Sequence, residues 1–217
     1  MLLSTKSSTR LLILAGLFTA LTVAGARVKI PLPFVALTLQ TFFVLLSGLV
    51  LGPLYGAASQ MAYLFLGLLG LPVFSEGGGL AYIVKPTFGY LFGFPLASFT
   101  AGIIVHRGVK LPASLPLAGV PRLILANVAA LLAIFIPGVL YLWWNTNFVV
   151  GKALALTHAV YVGFLVFLPG DAIKIIGVIW LYRALQPRLA TTFKLSTNTP
   201  ALKTATPISA ETEPRSD

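Results

Sequence analysis

The amino-acid sequence predicts an all-α integral membrane protein with six transmembrane helices and a re-entrant or interfacial helix before the last of them. The chain of 217 residues is 58% hydrophobic and 9% charged, with a mean hydropathy of +0.95, whereas about a quarter of a soluble domain is charged. No charged residue occurs between residues 30 and 75, a run long enough for two membrane helices of about 20 residues each. Outside the C-terminal tail, the acidic residues are Glu76 and Asp171.

Prolines, glycines and charges divide the apolar sequence into helices. The first span is closed by two cations and by "PLP" at 31–33. The charge-free run is broken by "LGP" at 51–53, because glycine ends helices and proline begins them. The polar and glycine- or proline-rich stretches 75–87 and 106–122 are predicted loops. The predicted spans are residues 11–26, 38–51, 53–71, 87–105, 122–142 and 169–186.

The segment before the last span has two interpretations. Residues 152–181 could form one long helix kinked at Pro169. A break at "PGD" is favoured, because proline prefers the first position of a helix and aspartate its first turn. Residues 149–167 are then the re-entrant or interfacial helix. We predict a membrane domain over residues 10–188, a cytoplasmic N-terminus over 1–9 and a disordered cytoplasmic tail over 189–217.

The distribution of cations predicts that both termini are cytoplasmic. Six spans place both ends on one side, and loops on the cytoplasmic side carry the excess of Lys and Arg. The side of the termini would hold Lys6, Arg10, Arg107, Lys110, Arg122, Arg183, Arg188 and Lys194. The other side would hold Arg27, Lys29, Lys85 and Lys152. The protein is therefore expected in the plasma membrane, in contact with lipid. Because the basic residues are scattered between apolar blocks, we do not expect nucleic-acid binding.

Asp171 and Lys174 are charged residues inside an apolar span. At a spacing of three they lie on one helical face, with their Cβ atoms about 5–6 Å apart. An ionisable residue at membrane depth costs several kcal/mol and is a functional hypothesis by default. A carboxylate and an ammonium side by side suit a small ligand that offers both N–H donors and a carbonyl. The alternative is an internal ion pair that holds the last helix to its neighbours.

A stripe of small residues runs along the first helix at Gly16, Ala20 and Ala24. Such a stripe lets another helix approach closely. It could serve packing within the bundle or docking of a partner helix.

Four ordered motifs give the sequence a resemblance to a known family. They are "TLQTFFVLLSGLVLGPLYGA" (38–57), "GLLGLPVF" (67–74), "KPTFGYLFGFPLA" (85–97) and "LPGDAIK" (168–174). Together they resemble the BioY family of biotin transporters, the substrate-binding S components of energy-coupling-factor transporters. The resemblance covers about residues 10–188. It implies six helices and capture of biotin, as a substrate and not a cofactor, at an external site under loops.

The resemblance also assigns roles to residues. Asp171 and Lys174 match the ligand-binding pair on the family's last helix, and the stripe Gly16, Ala20 and Ala24 matches the docking face for the transmembrane coupling subunit. For the substrate site we add loop and rim residues: Gly77, Gly78, Gly79, Tyr82, Tyr90, Lys85 and Arg27. Interface anchoring for the tyrosines and simple flexibility for the glycines are the alternatives.

Three functions follow from these observations. The chain lacks the phosphate-binding motif G-x-x-x-x-G-K-[ST], so as an S component it would need a transmembrane coupling subunit and two ATPase subunits; a homo-oligomer stays open. A solitary biotin carrier, or a carrier of a related vitamin, is the second function. An intramembrane enzyme is the third, but G-x-S-x-G and H-E-x-x-H are absent, so no catalytic residue is assigned. No cofactor or metal site is expected, because cysteine is absent and His106 and His158 lie far apart in sequence.

Overall fold

The protein is a helical bundle with a short β-hairpin at one end. The computed structural model describes residues 5–32, 34–107 and 118–197, and the side chains among them between residues 9 and 187. The elements in chain order are α1 (Thr5–Arg27), β1 (Lys29–Ile30), β2 (Leu37–Thr38), α2 (Gln40–Leu68), a 3₁₀ helix (Leu80–Val84), α3 (Phe88–His106), α4 (Val120–Phe148), α5 (Leu156–Gly163), a second 3₁₀ helix (Leu165–Phe167) and α6 (Leu168–Thr197).

Five helices in the described part of the chain are long and apolar enough to cross a membrane. They are Thr9–Arg27, Gln40–Leu68, Phe88–His106, Val120–Phe148 and Leu156–Pro187. The prediction is thereby confirmed at the level of a mainly helical membrane protein, whereas the β1–β2 hairpin was not predicted. The difference from the six predicted spans lies in α2, which contains both the second and the third of them.

Helix α2 consists of two segments that fold back on each other. Gly52 has φ 75° and ψ −179°, a backbone region that is almost confined to glycine. Pro53 follows and begins the second segment (53–68), as the "LGP" motif predicted. The Gln40 and Tyr63 side chains are hydrogen-bonded at 2.6 Å, although a straight helix would separate them by about 35 Å at 1.5 Å per residue. The first segment (40–51) and the second are therefore antiparallel neighbours.

Buried polar side chains join α1 to both segments of α2. The Gln60 amide lies within 3.3 Å of the hydroxyl groups of Thr22, Ser47 and Ser59, and Ser47 in turn bonds Ser98 of α3 at 2.9 Å. Gln60 has no exposed surface. In a membrane protein such groups stabilise the bundle only when they are paired. This network therefore holds the Gly52 fold-back against α1 and α3.

Helix α3 packs closely between α2 and α4 at glycine positions. A Cβ atom on Gly102 would lie 2.4 Å from the Pro53 nitrogen, and one on Gly93 would lie 2.7 Å from Ile134 Cα. Both distances are too short for any side chain. The glycines of α3 thus allow the two neighbouring helices to approach its backbone.

The ends of several helices differ from the sequence prediction. Helix α4 extends to Phe148, past the predicted end at residue 142, and α6 continues to Thr197, past residue 186. Helix α6 contains Pro187 and continues over residues 189–197, which were expected to be disordered. The predicted disorder of 198–217 and the state of residues 1–4 lie outside the described residues.

Candidate functional site

Asp171 and Lys174 form a buried ion pair in the first turns of α6. Lys174 Nζ lies 2.9 Å from Asp171 Oδ1 and 2.8 Å from the hydroxyl oxygen of Thr41 on α2. Asp171 is 1% exposed. Its second carboxylate oxygen, Oδ2, is buried and has no hydrogen-bond partner among the described residues. A buried carboxylate oxygen without a partner is costly, so the pair is incomplete as it stands.

The ion pair lies in the wall of a cavity at one end of the bundle, which we call the Asp171 cavity. Its walls come from the α1–α2 connection, the start of α2, the α2–α3 connection (residues 69–87), α3, α4 and α6. The lining residues are Val35, Ala36, Leu37, Thr38, Gln40, Thr41, Ser75, Tyr82, Thr87, Tyr90, Leu91, Phe94, Ile134, Phe135, Phe167, Asp171 and Lys174. The lining is mainly apolar and aromatic with a few polar groups, as is typical of small-molecule sites.

The Asp171 cavity is small. Its volume is about 50 Å³, whereas sites for small organic ligands measure about 300–1,000 Å³. A cavity of this size holds a few water molecules at most. A ligand larger than that enters only if part of the wall moves outward.

Four of the predicted substrate-binding residues line this cavity: Asp171, Lys174, Tyr82 and Tyr90. The two tyrosines also have structural partners. The Tyr90 hydroxyl donates to the carbonyl oxygen of Gly163 at 2.9 Å, and the Tyr82 hydroxyl lies 3.4 Å from Ser75 Oγ. Both hydroxyl groups therefore have partners within the protein.

The predicted cationic rim lies outside the cavity lining. The Arg27 guanidinium donates to the carbonyl oxygen of Pro72, and Lys29 donates to that of Ser75 at 2.8 Å. Lys85 pairs with Glu76 at 2.9 Å and lies 4.9 Å from the centre of the Tyr82 ring. All three cations thus contact the α2–α3 connection, above the cavity.

Gly77, Gly78 and Gly79 also lie outside the lining, and they shape the same connection. Gly77 and Gly79 have φ of 113° and 97°, which favour glycine. A Cβ atom on Gly78 would lie 2.0 Å from the carbonyl oxygen of Leu71. These glycines let the connection turn tightly at the cavity end of α2.

Sequence reasoning missed several polar residues that the structure brings to Asp171. Thr41 bonds Lys174, and Thr38, Ser75 and Thr87 line the cavity. The signal for two of them was present in "TLQT" (38–41), where polar residues cluster at the start of a predicted helix. Gln40, in the same motif, donates to the Tyr63 hydroxyl at 2.6 Å.

The small-residue stripe of α1 faces outward. Gly16, Ala20 and Ala24 are exposed, and no atom lies within 4 Å of a Cβ placed on Gly16. Thr19 and Thr22, on the opposite face, bond α2. The stripe is therefore available to a partner outside this chain. Among the described residues, no group of three or more His, Cys, Asp or Glu could hold a metal ion.

Several known proteins are similar to this chain in sequence, and a solved structure is similar in fold. The sequence model of the BioY family matches residues 3–191. The probable biotin transporter BioY of Lysinibacillus sphaericus is 42% identical over 159 residues, 73% of this chain and 78% of the relative. The biotin transporter BioY of Thermotoga maritima is 42% identical over 168 residues, 77% and 90% of the two chains.

A solved structure agrees with these sequence matches. The crystal structure of the S-component for biotin from an ECF-type ABC transporter superimposes with a TM-score of 0.74 and 25% identity. The superposition covers 89% of this chain and 98% of that one.

Proposed function

This chain belongs to the BioY family, and we propose that it binds biotin in the Asp171 cavity and carries it across the membrane as the S component of an energy-coupling-factor transporter. The family model covers residues 3–191, and relatives named as biotin transporters are 42% identical. The observation that carries the choice of site is the unpartnered Asp171 Oδ2 beside Lys174 in that cavity.

The pair suits the ureido ring of biotin, which offers two N–H donors and a carbonyl close together. Asp171 Oδ2 accepts one N–H, and this bond removes the cost of the unpaired oxygen. A lysine ammonium has three protons, and Lys174 donates to Asp171 and Thr41. The remaining proton is free to bind the ureido carbonyl. The aromatic rings of Tyr82, Tyr90 and Phe94 then enclose the apolar part of the bicycle.

The biotin carboxylate, at the end of a flexible chain, points toward the cavity mouth in this proposal. At this mouth, Arg27 is the last residue of α1 and Lys85 lies in the α2–α3 connection. Gly77, Gly78 and Gly79 act indirectly, by giving the connection its shape. These loop and rim assignments are proposals that rest on the sequence and on the position of the connection.

We further propose that the chain crosses the membrane six times, with both termini cytoplasmic. The fold-back of α2 at Gly52 supports two crossings by residues 40–51 and 53–68, and α5 serves as the re-entrant or interfacial helix.

The exposed stripe Gly16, Ala20 and Ala24 supports docking of a transmembrane coupling subunit, which works with two ATPase subunits. No cofactor is required, and surrounding lipid covers the other outward faces. A homo-oligomer is not needed by this arrangement.

Two measurements test the function. Titration of the purified protein with biotin should show saturable binding at one site per chain. Uptake of labelled biotin by cells with and without the ATPase subunits then separates an S component from a solitary carrier. Absence of saturable binding would contradict the proposal, and equal uptake without the ATPases would favour the solitary carrier. Chemical turnover of biotin without net transport would instead indicate an enzyme.

A further inference from the structure

Tyr63 occupies a position between the Asp171 cavity and the loop that covers it. It lies in the second segment of α2 and has no exposed surface. Its hydroxyl accepts a hydrogen bond from Gln40 Nε2 at 2.6 Å and donates one to the carbonyl oxygen of Val73 at 3.2 Å. A phenol hydroxyl has a single proton to donate. The hydroxyl therefore links Gln40 to the α2–α3 connection.

Gln40 connects Tyr63 to the wall of the Asp171 cavity. Its side chain lines the cavity, and its Oε1 accepts a hydrogen bond from the Thr38 hydroxyl at 2.9 Å. Both the oxygen and the nitrogen of the Gln40 amide are therefore hydrogen-bonded. Three hydrogen bonds in series connect Thr38, Gln40, Tyr63 and Val73, and they join the α1–α2 connection to the α2–α3 connection beneath the surface.

The segment held by this series supplies part of the cavity wall. Val73 precedes Phe74, which is fully buried and packs edge-on against the Tyr63 ring at 5.4 Å. Ser75 follows and lines the cavity. The Phe74 ring also contacts the Tyr82 ring at 4.6 Å, so the position of Val73 and Phe74 affects two lining residues. A shift of residues 73–75 would therefore move Ser75, which is part of the cavity wall.

We propose that Tyr63 and Gln40 are positioning residues that hold residues 73–75 closed over the bound ligand and thereby set its residence time. The proposal rests on the proposed function, because it takes biotin as the ligand. A cavity of about 50 Å³ must open before a vitamin enters or leaves. The buried hydroxyl of Tyr63 stabilises the closed position, and it makes no contact with the ligand itself.

The substitution Tyr63→Phe removes the hydroxyl and keeps the ring that packs against Phe74 and Phe94. Loss of a neutral hydrogen bond should accelerate biotin release about three- to tenfold, while the association rate does not fall. Tyr161→Phe is the matched control, because this tyrosine is exposed on α5 and does not line the cavity. It should release biotin at the wild-type rate.

Hydrogen exchange of the biotin-free protein gives an independent readout. In Tyr63→Phe the backbone amides of residues 73–79 should exchange faster, while those of α3 and α4 keep their wild-type protection. A release rate within 1.5-fold of wild type, a fall in the association rate, or equal loss of protection in the helices would overturn the proposal in favour of a purely structural tyrosine. If wild-type protein failed to bind biotin, the proposed function would fail, but the exchange measurement would still test the link.

Discussion

At the scale of single residues, the site consists of a few polar atoms in the wall of a small and mainly apolar cavity. Asp171 has one oxygen paired with Lys174 and one unpaired, and Lys174 is held by Thr41. Buried polar atoms interact more strongly than exposed ones, because water does not screen them. The cations Arg27 and Lys85, by contrast, are exposed and bound to loop oxygens. Asp171 and Lys174 should therefore contribute more to the affinity for biotin than Arg27 and Lys85 do.

Biotin analogues test this ranking. Conversion of the carboxylate to an amide should weaken binding by less than about fivefold, mostly at low salt, because exposed charge pairs are worth at most about 1 kcal/mol. Methylation of a ureido nitrogen should weaken binding by about 10- to 150-fold, since a charge-assisted hydrogen bond is lost. Calorimetric titration measures both. If the amide were the poorer ligand, the orientation of biotin would be reversed, with Lys174 on the carboxylate.

At the scale of elements, helix α2 shows what could and could not be read from sequence. The break at "LGP" was predictable, because Gly52 needs a backbone that other residues avoid and Pro53 suits a helix start. The side-by-side contact of the two segments includes the Gln40–Tyr63 and Gln60–Ser47 hydrogen bonds, whose partners are 23 and 13 residues apart. Local sequence patterns do not predict contacts between residues that are this far apart in the chain.

Replacement of Gly52 tests the fold-back. Gly52→Ala should lower the free energy of unfolding by about 1–3 kcal/mol, because alanine is strained at φ 75° and ψ −179°. Gly16→Ala is the control, since Gly16 is helical and a Cβ there meets no atom within 4 Å. Denaturation of the purified proteins in detergent measures both. Equal stability of Gly52→Ala and wild type would show that the turn tolerates other residues.

At the scale of the whole molecule, the bundle separates the cavity from the opposite end. Asp171, Gln40 and Arg27 lie at the cavity end, whereas Gly52, His106 and Arg122 lie near the other: His106 Nε2 is 2.9 Å from the carbonyl oxygen of Leu49, and Arg122 bonds that of Ile104 at 2.6 Å.

The sequence predicted this arrangement in part. Hydropathy predicted the apolar helices, and the charged pair on α6 predicted the position of the candidate site. The approach of residues 35–38, Ser75 and Thr87 to Asp171 was not predictable, because two connections that are far apart in sequence, α1–α2 and α2–α3, converge there.

A bulky residue on α1 tests the docking face. Ala20→Trp should abolish ATP-dependent biotin uptake and leave biotin binding by the purified protein unchanged, because Ala20 is exposed on the small-residue stripe of α1 and does not line the cavity. Leu125→Trp is the control, since Leu125 is 60% exposed on α4. Equal loss of uptake in both variants, or a loss of binding in Ala20→Trp, would contradict a docking role for the stripe.

The central claim is that the Asp171 carboxylate binds biotin, and Asp171→Asn tests it most directly. Asparagine keeps the shape of the side chain and removes the charge that accepts the ligand N–H. The dissociation constant of biotin should rise about 10- to 150-fold in a protein that still folds, as judged by its unfolding temperature. Glu76→Gln removes the other acidic residue of the membrane domain, which is exposed and outside the cavity, and should bind as wild type does. A folded Asp171→Asn protein with an unchanged dissociation constant would contradict the account.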